Sequence, residues 1–257
     1  MKYILIFWGL LGGSHFAQAA DLSECDSLYS HRGADALKAA GCYQSQILGA
    51  SDSVEQKKIY TRTFIALSAV VNELPKTAAE RQAIDLGLAM VKEFSKSFSD
   101  TADFFYWRAC MVSFDVFQKD RGAVIPTHTF RALGAIQSDL RLAMQKDSSI
   151  HFFGPHRVMG MMHTQMPAIA GGDKLLAEKL LKEAYEKEPV FSMNHLAYAR
   201  ILDVNGKTDE AILVLNRLLS TPDAELNPPS SEPLLSLLPE ITKDKADARK
   251  LLDDLSG

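Results

Sequence analysis

The chain has 257 residues, 47% hydrophobic and 23% charged, the make-up of a globular protein rather than a disordered or fibrous one. Lys and Arg total 28 against 32 Asp and Glu, a formal net charge of −4, so the basic surface that a nucleic-acid partner needs is absent. The length suits a stack of helical hairpins better than one compact core.

The first segment reads as an address rather than as structure. Lys2 supplies a short positive region, Tyr3 to Leu11 is apolar, and Ala17-Gln18-Ala19 is a small-x-small cleavage signature. Residues 1–19 are therefore expected to be a signal peptide, with an uncleaved signal-anchor as the alternative. The apolar run is too short to span a bilayer as a helix. Cys25 follows Leu22-Ser23-Glu24, which is not a lipobox. The expectation is an exported, periplasmic protein with no membrane span after cleavage.

A first hairpin is predicted over about residues 22–48, turning at Gly33. Cys25 lies 8 residues before that glycine and Cys42 lies 9 after it, so an antiparallel pair would bring them face to face. In an oxidising compartment they can form a disulfide worth about 3 kcal/mol. The alternative is two buried thiols. The third cysteine, Cys110, reads as a small core residue.

Tyr60, Phe64, Leu67, Val71 and Leu74 then mark one face of a helix that Pro75 ends, and Ile84, Leu88, Val91, Phe94 and Phe98 form the next stripe. The third hairpin starts near Thr101 with Phe104, Trp107, Met111 and Phe114. It turns at 120–126 and returns through Phe130, Leu133, Ile136, Leu140 and Ala143. A helix opens at about Phe152 with Pro155 in its first turn and ends at Pro167.

The strongest pattern follows. Ala177, Leu181, Ala184 and Pro189 have the spacing of the second helix of a tetratricopeptide (TPR) unit, and Ala211, Leu215 and Leu218 repeat it 34 residues later. Ala199, Leu202 and Gly206 fill the intervening helix and turn. The predicted fold is an all-α, TPR-like α-solenoid of four to five hairpins over 20–221. Residues 222–257 are expected to be a Pro-rich segment (Pro222, Pro228, Pro229, Pro233) and a short capping helix over about 240–255.

Catalytic spacings are missing. The chain has no Gly-x-Ser-x-Gly, no phosphate loop and no His-Glu-x-x-His. His156 and His163 are 7 residues apart, about 10 Å along a helix, too far for one tetrahedral ion. Neither enzyme activity, a metal nor a cofactor is expected. The run Phe104 to Trp107 leaves at least one aromatic off the core stripe, so Tyr106 and Arg108 can face a groove that binds organic anions; the alternative is a helix buried all round. Arg157 lies where a helix N-terminus also favours an anion, or it pairs with a surface carboxylate. The Met159, Met161, Met162 and Met166 run reads as core filling. The candidate ligand or partner residues are Tyr106, Trp107, Arg108, His156 and Arg157.

Gly154-Pro155-His156-Arg157-Val158-Met159-Gly160, then Pro167, then Gly171-Gly172-Asp173 running into the Ala177 helix, resembles the T-component family of TRAP transporters (TatT). The Phe105-Tyr106-Trp107 helix upstream is similar as well, and the resemblance covers about residues 100–220. It implies a periplasmic helical protein that trimerises around a pore, partners the extracytoplasmic solute-binding protein and passes on a hydrophobic or organic-acid ligand. Gly154, Pro155, Gly160, Pro167, Gly171, Gly172 and Asp173 are expected to be structural, Asp173 as a helix N-cap. The family is typically lipid-anchored; without a lipobox here, the tether is not carried over. The alternative function is a general periplasmic TPR scaffold for protein partners.

Overall fold

The computed structural model describes residues 21–227 and 237–256. The expected signal peptide, with Pro228, Pro229 and Pro233, lies outside them. The described residues form twelve α-helices and no strand: α1 Ser23–His31, α2 Ala34–Gln46, α3 Ser53–Glu73, α4 Ala78–Phe98, α5 Ala102–Lys119, α6 Thr127–Lys146, α7 Ile150–Gln165, α8 Lys174–Lys187, α9 Ser192–Val204, α10 Thr208–Ser220, α11 Asp223–Leu226 and α12 Leu238–Ser256. The all-α class is as the periodicity indicates.

Side-chain caps start several of these helices. Asp52, Thr77, Thr101 and Asp173 each accept a hydrogen bond from an amide in the first turn of α3, α4, α5 and α8. Each such cap contributes about 1 kcal/mol. Asp173 takes the N-cap position expected of it.

The first ten helices pair into five hairpins that pack in chain order, each helix against its neighbours in sequence. The first helices of successive hairpins also touch: α3 meets α5, α5 meets α7, and α7 meets α9. Ala177, Leu181 and Ala184 are buried in α8, and their counterparts Ala211, Leu215 and Leu218 are buried in α10. The small residues Ala177, Ala184 and Ala211 on these buried faces let neighbouring helices approach closely. Gly160 serves the same end: a Cβ there would fall 2.6 Å from Leu181 Cγ, so only glycine lets α7 pack this near α8.

The core has two parts. One is built from α1 to α6, with aromatic contacts such as Phe64 stacked on Trp107 at 5.2 Å; the other is built from α8, α9, α10 and α12. Between them α7 gives Met159 and Met162 to the first and packs Met161 on the second. A disulfide joins Cys25 to Cys42 across α1 and α2, with Cα atoms 5.4 Å apart. Cys110 is free and buried.

Three expectations need correction. Phe130 is 44% exposed rather than part of the α6 core stripe, because α6 meets α5 through Ile136, Leu140 and Ala143 further along. The C-terminal helix is longer than predicted and is docked on α9 and α10 by buried Ile241 and Ala248; α11 interrupts the expected extended segment. The segment before Pro155 is not ordinary helix: His151, Phe152 and Phe153 all take left-handed conformations, with φ of 50°, 57° and 57°.

Candidate ligand cavity

Because α3, α5, α7 and α9 lie side by side, their inner faces share one wall. In α5, Tyr106, Cys110, Ser113 and Phe117 recur at intervals of 4, 3 and 4, placing them on one face, and all four line a cavity of about 700 Å³. Helix α3 adds Ile65, Ser68 and Asn72, α7 adds Val158, Met161 and Met162, and α9 adds Met193 and Arg200. Tyr29 and Arg32 from the first hairpin reach the same space. The last wall is α12, which presents Glu240, Lys243, Asp244 and Asp247 at helical spacing. Most of the lining is apolar, with aromatic rings from Phe114, Phe152 and Phe191.

At one end of this cavity sits the left-handed turn. Each left-handed residue costs about 1–2 kcal/mol, and none of the three is glycine. Tertiary contacts offset that cost. Arg157 donates from Nη1 to the Phe152 carbonyl at 3.0 Å and from Nη2 to the His151 carbonyl at 3.3 Å. Asn194, fully buried in α9, donates to the Phe152 carbonyl at 3.2 Å and accepts from Arg157 at 2.8 Å. The His151 ring stacks on Tyr106 at 4.9 Å, and Phe152 stacks on Phe191 at 4.7 Å. Backbone held in so unfavourable a region by so many partners is typical of a binding or catalytic centre.

The electrostatics of the wall are uneven. Arg121 pairs with Glu80, Arg32 with Glu73 and Glu240, and Lys243 and Arg200 with Asp247. Arg157 lines the cavity, is 7% exposed and has no carboxylate partner among the described residues. Its guanidinium lies 4.5 Å from the centre of the Phe191 ring. The Trp107 indole nitrogen and the Ser68 and Ser113 hydroxyls are buried without a hydrogen-bond partner among the described residues.

Two weakly acidic side chains of α5 on this wall, Cys110 and Tyr106, are held in their neutral forms. Burial pushes the Cys110 thiol up to about 12, against the opposing pull of Tyr106 and Arg157, so it stays protonated at neutral pH. Burial likewise raises the Tyr106 phenol. His151 Nε2 is 3.5 Å from Asp103 Oδ1. Burial pushes the Asp103 carboxyl up, but bonds to His151 and Lys57 outweigh it and leave the group at about 2. Among the described residues no group of three or more His, Cys, Asp or Glu side chains is gathered to hold a metal, and no helix is long and apolar enough to cross a membrane.

Of the five residues singled out by sequence, Tyr106, Trp107 and Arg157 line the cavity. Arg108 does not: its guanidinium turns outward to α6, donating to Asp139 at 2.7 Å and covering the Phe104 ring at 4.7 Å. His156 is buried away from the cavity beside Phe153, 3.8 Å from Glu183 of α8. Gly154 is structural in a specific way, since a Cβ there would fall 2.8 Å from the Tyr106 ring. Sequence reading missed Asn194, the two serines and the whole charged face of α12. Only the spacing of 240, 243, 244 and 247 hinted at the last.

No family model matches the chain, and no curated protein does.

Proposed function

We propose that this protein is a non-enzymatic carrier of the exported cell-envelope compartment, a TPR-like accessory protein of the T-component kind. It holds a small organic or hydrophobic ligand in the cavity and works beside a solute-binding protein. The observation that carries this reading is the cavity itself: its volume falls in the range of small-molecule sites, it is mainly apolar, and Arg157, which has no carboxylate partner among the described residues, is on its wall. The Cys25–Cys42 disulfide suits an oxidising compartment.

A native mass spectrum of the exported protein, taken under gentle desolvation, tests it. The expected result is a trimer carrying a co-purified organic molecule. A ligand-free monomer would favour the second reading, a scaffold for a protein partner. That reading draws on the exposed apolar residues at two successive hairpin turns, Val124 and Ile125 between α5 and α6, and Ile169 and Leu175 between α7 and α8.

A further inference from the structure

The turns that close the hairpins lie along one edge of the stack, and two neighbouring ones are apolar where water would favour polar residues. Residues 121–126 read Arg-Gly-Ala-Val-Ile-Pro and residues 166–172 read Met-Pro-Ala-Ile-Ala-Gly-Gly, with no carboxylate in either. Val124 is 98% exposed and Ile169 is 99% exposed, and Ile125 and Leu175 beside them are exposed as well. The two turns share a side of the molecule. Tyr106 and Gly154 meet near the starts of α5 and α7, and Gln118 and Gln165 near their ends line one cavity. The α3–α4 turn joins them, since Glu80 accepts from the Lys76 amide at 2.6 Å and from Arg121 Nη1 at 2.8 Å.

Charge on this edge suits an anionic surface. Lys76 and Lys174 are exposed and have no carboxylate partner among the described residues. The carboxylates nearest the apolar tips in sequence are engaged by helix starts. Asp120 is buried and accepts from the His128 and Thr129 amides, and Asp173 accepts from the Leu175 and Leu176 amides. The patch is bounded at the next turn, where exposed Asp209 and Glu210 open α10.

We propose that this edge docks on an anionic lipid surface, with Val124, Ile125 and Ile169 entering the headgroup layer and Lys76 and Lys174 meeting lipid phosphates. A protein partner would need a shaped pocket for each tip, whereas a bilayer interface accepts isolated aliphatic side chains anywhere along it. The inference concerns the outer surface and stands apart from what fills the cavity.

Flotation of the exported full chain tests it, with vesicles of phosphatidylcholine alone and of phosphatidylcholine and phosphatidylglycerol in equal parts. The protein should rise with the anionic vesicles, and added salt should weaken that binding. Val124→Asp with Ile169→Asp alters only exposed side chains, so helix content and Tm should hold while vesicle affinity falls about tenfold or more. Lys174→Gln should weaken binding to the anionic vesicles severalfold. No flotation, equal binding to both vesicle types, or binding that the double variant leaves unchanged would each overturn the proposal. Absence of flotation together with a dimer in sedimentation that the double variant dissolves would assign the edge to a second copy of the chain instead.

Discussion

Arg32 and Glu240 are 208 residues apart in sequence, yet Arg32 Nη1 donates to Glu240 Oε1 at 2.5 Å. Glu240 also accepts from the Tyr29 hydroxyl, and Arg32 donates from Nε to Glu73 at 2.6 Å. The first hairpin is thereby tied to the last helix across one side of the cavity. Removing the α12 carboxylate would leave the Tyr29 hydroxyl without its acceptor and Arg32 with Glu73 and the Tyr29 hydroxyl as its partners. Glu240→Ala should therefore lower the unfolding free energy by about 1–3 kcal/mol, read by urea denaturation. An unchanged midpoint would show that the tie adds nothing to stability.

Reduction should destabilise the molecule. The Cys25–Cys42 bond closes a loop with a sequence separation of 17, worth about 3 kcal/mol through the unfolded chain. A reductant is expected to lower Tm. Under denaturing conditions the thiol count should rise from one, Cys110, to all 3 cysteines. A Tm that ignores reduction while the count rises would remove the disulfide from the account of stability.

Asp244 gives the fold a pH slope of unusual sign. Burial raises its carboxyl to about 6, Glu240 and Asp247 add to the rise, and the Ser192 hydroxyl and Lys243 oppose it. The folded value lies above the unfolded 3.8, so the neutral acid favours the native state. Its contribution is complete below about pH 4 and is lost as pH climbs through 6. Asp244→Asn keeps an acceptor for Ser192, which donates at 2.6 Å, and never ionises. The variant should be more stable than the parent at pH 8 by about 1–3 kcal/mol and should lack the slope between pH 4 and 6. Parallel stability profiles of the two proteins would count against this assignment.

Asn194→Ala should be the most damaging single change near the cavity. Its amide nitrogen donates to the carbonyls of Phe152, Ala184 and Glu188, and its oxygen steadies Arg157. Truncation would orphan several buried groups at once, at a cost of about 3 kcal/mol or more. Circular dichroism on heating would report it as a large fall in Tm with the helix content retained below the transition. A fall of only a degree or two would mean that the left-handed turn has other sufficient support.

The parts of the fold legible in sequence are those set by local periodicity. Ala177, Leu181 and Ala184 announce a packed helix because burial of one face imposes a 3.6-residue rhythm, and Tyr106 could be set apart from the Phe104 and Trp107 stripe for the same reason. Arg108 could not, because its direction is decided by Asp139, 31 residues away on α6. The left-handed conformations of His151 to Phe153 carry no local mark, since the usual Gly or Asn is absent and distant Arg157 and Asn194 contacts impose them. Phe130 fits the apolar rhythm of α6 and lies outside it in space, because rhythm gives the angle of a side chain and not where the neighbouring helix ends.

The Arg32–Glu240 tie also constrains how the chain can vary in length. An open array of repeats tolerates the gain or loss of one unit, since each touches only its neighbours. Here, among the described residues, side chains of the first hairpin and of the last helix meet, and removing a hairpin would displace α12 by the thickness of a helix pair and carry Glu240 out of reach of Arg32. The tie therefore couples the number of hairpins to the integrity of the cavity wall, since Arg32 and Glu240 both line it.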